Sequence, residues 1–192
     1  MKQKYNIEMK PDGYFLARGR LRTKNPENLN LSEIIRNINT INENVNTAYD
    51  KALINDDKIV GQEKALILKY LEQLTGEYII LRYHFEKKFL RSSIANCIDL
   101  TSNYSFKIYL EPYEFTVSGR ISEQQWASTN SLKQWFTEYE SLLKTLLGTL
   151  RDALGDKKVT VDEVGLIAKP ADQIIHMLII LQHRINNKDM DD

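Results

Sequence analysis

Residues 56–85 read DDKIVGQEKALILKYLEQLTGEYIILRYHF, and residues 156–185 read DKKVTVDEVGLIAKPADQIIHMLIILQHRI. Laid over one another at an offset of 100 residues, without a gap, they share Asp56 with Asp156, Lys58 with Lys158, Glu63 with Glu163, Leu66-Ile67 with Leu166-Ile167, Lys69 with Lys169, Gln73 with Gln173, and Ile79-Ile80-Leu81 with Ile179-Ile180-Leu181. That makes 10 identities in 30 positions, where chance gives roughly two for ordinary compositions. Two amphipathic helices of like phase share Leu and Ile by coincidence, but amphipathicity does not demand the polar matches at Asp56, Lys58, Glu63 and Gln73. An internal repeat is the better reading.

The repeat extends outward in both directions. The same offset sets Phe15 on Phe115 and Gly19-Arg20-Leu21 on Gly119-Arg120-Ile121. A slip of one residue sets Leu31, Ile34 and Ile35 on Leu132, Trp135 and Phe136. Upstream, Tyr5, Ile7 and Met9 alternate with polar residues, Pro11-Asp12-Gly13 carries turn chemistry, and Phe15, Ala17 and Leu21 resume the alternation up to Thr23, which predicts a β-hairpin. Ser32 is the expected N-cap of a helix with Ile34, Ile35, Ile38, Ile41, Val45 and Ala48 on its apolar side, ending at Asn55-Asp56-Asp57. The next helix is expected to carry Leu66, Ile67, Tyr70, Leu74, Tyr78, Leu81 and Phe85 on one stripe. In the second half Phe106, Ile108 and Leu110 alternate, Pro112 marks a turn, and Phe115, Val117 and Ile121 alternate again. A helix from near Thr129 or Ser131 follows, broken at Asp156-Lys157-Lys158. A last helical region, from Leu166 to Ile185, should be kinked or interrupted by Pro170.

The expected fold is therefore α+β and mostly helical: a β-hairpin followed by a helical hairpin, ββαα, present twice about a pseudo-twofold axis. Residues 1–88 form the first repeat, 89–103 a connector, 104–187 the second repeat and 188–192 a polar tail. A single helical hairpin cannot bury its own apolar stripes, so the four long helices should share one core, with the two hairpins pairing into it or capping it.

Composition bounds what such a chain does. Of 192 residues 42% are hydrophobic, 26 basic side chains balance 26 acidic ones, and Cys97 is the single cysteine. This excludes wholesale disorder, collagen-like repeats, an internal disulfide and a cysteine-rich zinc site. Residues 1–10 hold no apolar core of a signal peptide, and no apolar run reaches the roughly 18 residues of a spanning helix. The expectation is a soluble, cytoplasmic protein with no membrane association. Its zero net charge conceals a modest polarity: residues 1–88 carry 15 basic and 12 acidic side chains, the remainder 11 and 14.

Few motifs carry chemistry. Asp152, Asp156, Val159 and Glu163 fall at positions 1, 5, 8 and 12 of a loop that resembles the EF-hand, but Leu154 stands where an oxygen ligand is wanted and Lys157 where the turn glycine belongs. An ordinary corner between helices is the simpler reading. His176 and His183 are two turns apart on one helix, too far to chelate one ion, and read with His84 as structural imidazoles. Cys97 has no local base. Neither a nucleophile elbow nor a glycine-rich phosphate loop is present. No cofactor and no metal site is implied.

The candidate binding residues are a basic row and one aromatic. Arg18, Arg20 and Arg22 alternate with Ala17, Gly19 and Leu21, so the three guanidinium groups share the face opposite the apolar one, and Lys24 follows. Such a row suits phosphates or an acidic partner, or simply a solvated edge protected by charge. Trp126, between strand and helix, reads as a core anchor or a hot spot for a partner. The leading expectation is a non-enzymatic interaction or regulatory protein that binds a protein partner, or a second copy of itself, through a surface formed by its two similar halves. A nucleic-acid or anion binder using the basic hairpin is the first alternative, disfavoured by the neutral balance. An enzyme with His84, His176 and Glu77 converging in a cleft between the halves is the second.

Overall fold

The alternation from Tyr14 to Arg20 becomes a strand with Phe15 and Ala17 buried and Arg18 and Arg20 exposed, as the period of two requires. In the computed structural model the described residues are 6–10, 14–23, 28–56, 58–59, 61–85, 106–111, 114–120, 132–155, 161–187 and 190–191. Their order is β1 (Asn6–Met9), β2 (Tyr14–Arg20), α1 (Leu31–Asp56), β3 (Lys58–Ile59), α2 (Gly61–Phe85), β4 (Phe106–Glu111), β5 (Glu114–Arg120), α3 (Leu132–Gly155), α4 (Val161–Asn187) and β6 (Met190–Asp191). Helices dominate, and the α+β class follows.

β1 to β2 and β4 to β5 are antiparallel hairpins, and they join through their second strands in the order β1-β2-β5-β4. The β2–β5 register sets Ala17 opposite Val117, Phe15 opposite Gly119 and Gly19 opposite Phe115. Each bulky ring thus faces a glycine, which leaves room for both rings on the buried side. Ile7 pairs with Ala17, and Ile108 with Val117.

One hydrophobic core takes residues from both central strands and all four helices, among them Phe15, Val117, Ile34, Leu74, Trp135 and Leu178. α1 packs on α2, α2 on α4 and α4 on α3. The shared core expected for the helices is present. α2 and α4 lie at its centre, and from Leu74 to Arg82 every residue of α2 is buried. Polar residues buried there find partners across the helix pair. Gln182 donates to Thr75 at 2.9 Å, and Arg82 pairs with Asp172. Thr75 lies near Gln182 and Arg82 near Asp172, so α2 and α4 run antiparallel.

Several local expectations need correction. The N-cap of α1 is Asn30 rather than Ser32: its Oδ1 accepts the Ser32 N–H at 2.9 Å, and its carbonyl accepts the Ile34 N–H at 3.1 Å. Pro170 does not interrupt α4. The carbonyl its ring releases belongs to Leu166, which is 61% exposed, where water can replace the lost bond. Leu66 and Leu166 were expected on apolar stripes, yet both are exposed; in α2 the residues ahead of Ile67 lie outside the packed stretch. In the tail, Met190 and Asp191 pair with Ile59 and Lys58 as a two-stranded ladder. The turn at 11–13 and the EF-hand-like corner at 156–160 lie outside the described residues.

Candidate functional site

Two concavities flank α1. The larger, about 460 Å³, lies where the end of β2 meets α1 and α2. The end of β2 delivers Arg20 and the residues just after it Leu21 and Arg22, α1 delivers Asn37, Thr40 and Ile41, and α2 delivers Glu72, Gln73, Gly76, Glu77 and Ile80. The alternation that buries Leu21 turns Arg20 and Arg22 the other way, so the arginines expected from the sequence do share a face. They are not, however, a bare row of positive charge. Arg20 lies 3.3 Å from Glu114 on the neighbouring strand. Arg22 donates through Nε to Oε1 of the buried Glu77, with a second guanidinium nitrogen 3.4 Å from Oε2 and a third 3.7 Å from Glu33. Arg18 is exposed on β2, while Lys24 and Trp126 lie outside the described residues.

Burial pushes the Glu77 carboxyl above the ordinary carboxylate value, although Arg22 pulls it down through a hydrogen bond and its charge. Glu72, half-buried on the same helix, is also raised by burial, and no hydrogen bond or ion pair joins it to a described residue. Beside its apolar walls the cavity therefore holds one carboxylate matched by an arginine and one with no ion pair among the described residues.

The second concavity, about 330 Å³, lies between α1 and α3. Leu71, Leu74, Val45, Trp135 and Tyr139 form its floor, while Asn39, Asn42, Glu43 and Asn46 on one rim face Phe136, Glu140 and Leu143 on the other. Polar bonds hold this floor in place. Tyr139 donates its hydroxyl proton to Asn42 Oδ1, so the contact of 2.9 Å between the Tyr78 and Tyr139 oxygens has Tyr78 as donor. Trp135 stacks on Tyr139 at 5.1 Å and donates through Nε1 to the Met177 carbonyl at 3.1 Å. Burial raises both tyrosine hydroxyls well above their usual titration range.

Glu77 and His176, both considered for catalysis, have separate partners. Glu77 is held by Arg22, whereas His176 packs its ring 5.2 Å from Phe15 and bonds to the Arg120 backbone. Burial lowers His176 to about 4. His84 is buried near the end of α2, and His183 is half-buried with its pKa also lowered by burial. Among the described residues no group of three or more His, Cys, Asp or Glu is placed to hold a metal ion. Sequence reasoning noticed neither Glu72 nor the part played by Gly76. An isolated glycine in a helix, where it costs about 1 kcal/mol relative to alanine, was the signal available. No protein-family model, curated protein or solved structure matches the chain. Among the described residues no helix is long and apolar enough to cross a membrane.

Proposed function

We propose that this chain is a non-enzymatic interaction protein, built from two copies of one ββαα unit, that binds a polypeptide partner in the groove between α1 and α3. The observation that carries the reading is the origin of that groove: one wall comes from each half, over an apolar floor. Its rims supply amides and the carboxylates of Glu43 and Glu140. Five asparagines fall within residues 37–46, although Asn lies low among helix formers, costing up to about 0.7 kcal/mol each relative to alanine. Three of them, Asn39, Asn42 and Asn46, line the groove, and an amide offers a polypeptide both a donor and an acceptor. α3, the matching helix of the other half, contains none.

The two-copy part of the reading draws on the repeat of 100 residues, the sheet order β1-β2-β5-β4 and the pairing of Ala17 with Val117. Anion binding by the first hairpin has weaker support, since carboxylates already face Arg20 and Arg22.

A photo-crosslinking amino acid at Asn46 tests the proposal. A defined partner should be captured there, capture should fail from Lys133 outside the groove, and Leu143→Glu should abolish it. Capture that survives Leu143→Glu, or that is equal from Lys133, would overturn the groove as the site. Self-capture would identify the partner as a second copy of the chain.

A further inference from the structure

The cavity beside Arg22 is open because α2 carries a glycine at its floor. A Cβ added to Gly76 would meet nothing within 4 Å. One hundred residues on stands His176, buried, with its ring against Phe15 and its hydrogen bond on the backbone of Arg120. Arg120 lies 100 residues from Arg20, which borders the cavity. Space that an imidazole fills in the second half is thus left open in the first.

Charge differs between the halves in the same place. Asp172 is neutralised by Arg82 across the helix pair. Its counterpart Glu72 would look to position 182, which is Gln, and that amide is committed to Thr75 and the Leu178 carbonyl. Within the cavity Arg22 matches Glu77, and Arg20 is held by Glu114. Among the described residues no cation is paired with Glu72, which is half-buried.

We propose that this cavity binds an organic cation, a guanidinium or ammonium head on a short apolar stem, with the head on Glu72 and the stem passing Gly76 against Leu21, Ile41 and Ile80. The head gives the half-buried Glu72 a charged hydrogen-bond donor, and the stem covers apolar wall. A free alkylamine or alkylguanidine carries this chemistry, and so does a basic side chain of a polypeptide. The site is separate from the α1–α3 groove and does not depend on it.

The test is a titration of the full-length ¹⁵N-labelled chain with butylguanidinium, agmatine and acetyl-Ala-Arg-Ala-amide, with butylurea and butyrate as controls. Saturable shifts are expected at the amides of residues 72–80 with the cations. Butylurea should bind about tenfold more weakly or worse, and Glu72→Gln should weaken butylguanidinium by a similar factor. Gly76→Leu, which fills the space, should abolish binding, and Gly76→Ala should weaken it should the larger side chain prevent folding. A peptide that binds more tightly than agmatine assigns the site to a partner's side chain, and the reverse order assigns it to a free amine. No saturable shift with any cation, equal binding of butylurea or butyrate, or an unchanged affinity in Glu72→Gln would overturn the proposal.

Discussion

His176 is a single residue that makes the stability of the whole chain depend on pH. In the unfolded chain its imidazole titrates near 6.5, whereas burial lowers it to about 4 in the fold. As pH drops through this interval the unfolded chain takes up the proton first. The stability contributed by the neutral ring is therefore complete above pH 6.5 and is lost on the way to pH 4, about 3 kcal/mol in all. Glu72 and Glu77 act with the opposite sign, because burial raises their carboxyls and protonation relieves that cost. His176→Gln preserves a donor for the Arg120 backbone but removes the titration. Urea denaturation at pH 7, 6 and 5 should then show a steeper loss of stability in the parent than in the variant, and parallel profiles would refute the assignment. Two glycines make contrasting tests on the same scale. Gly76→Ala, mid-helix with open space for its Cβ, should stabilise the fold by about 0.5–1 kcal/mol. Gly61, whose φ of 61° starts α2 in the left-handed region, should lose about 1 kcal/mol when changed to Ala. Thermal melts of both variants check the two signs.

Between elements, the ion pair of Arg82 and Asp172 fixes how α2 meets α4. Both side chains are almost wholly buried, so removing one charge strands the other. Asp172→Asn should cost about 3–5 kcal/mol, while the double change Arg82→Met with Asp172→Leu should regain most of it. Chemical denaturation of the single and double variants decides the matter, and a double variant as weak as the single would refute this account. Legibility from sequence divides along the same line. Strand β2 and the C-terminal ends of α1 and α3 followed from period and breakers, because these are encoded by neighbours along the chain. The cap at Asn30 was missed in favour of Ser32, since either residue type suits an N-cap and only geometry chooses between them. Arg18 and Arg20 are exposed on β2 with Arg22 just beyond its end, but the fate of Arg22 depended on Glu77, 55 residues away in sequence. The stripe assigned to α2 failed at Leu66 because the first turns of α2 lie ahead of the packed stretch, and period alone does not say where along a helix the packing begins. Gly76 marked an oddity within a helix but not a cavity, because open space is a property of what the neighbouring helices leave unfilled.

At the scale of the molecule, the two-copy reading makes a demand on each half by itself. If a twofold axis relates the halves, residues 1–88 contain a surface complementary to themselves. In a pair of such chains Ala17 would face Ala17, and each Phe15 would face the Gly19 of the other copy, as Phe15 faces Gly119 and Gly19 faces Phe115 in the intact protein. Across the helices Arg82 would meet Glu72, the counterpart of Asp172, so the buried cation of each chain would still find a carboxylate. An isologous contact of this kind closes at two subunits. Residues 1–88 should accordingly sediment as a concentration-dependent dimer whose helical circular dichroism rises with association. Ala17→Lys, which puts a charge at the centre of the β2 ladder, should abolish the dimer. In an equimolar mixture, residues 104–192 should displace one copy to form the heterodimer, because only that pairing unites Arg82 with Asp172 and Tyr139 with Tyr78 and Asn42. A monomeric, helix-poor fragment that residues 104–192 cannot rescue would leave the repeat as a resemblance of sequence without a symmetric interface behind it.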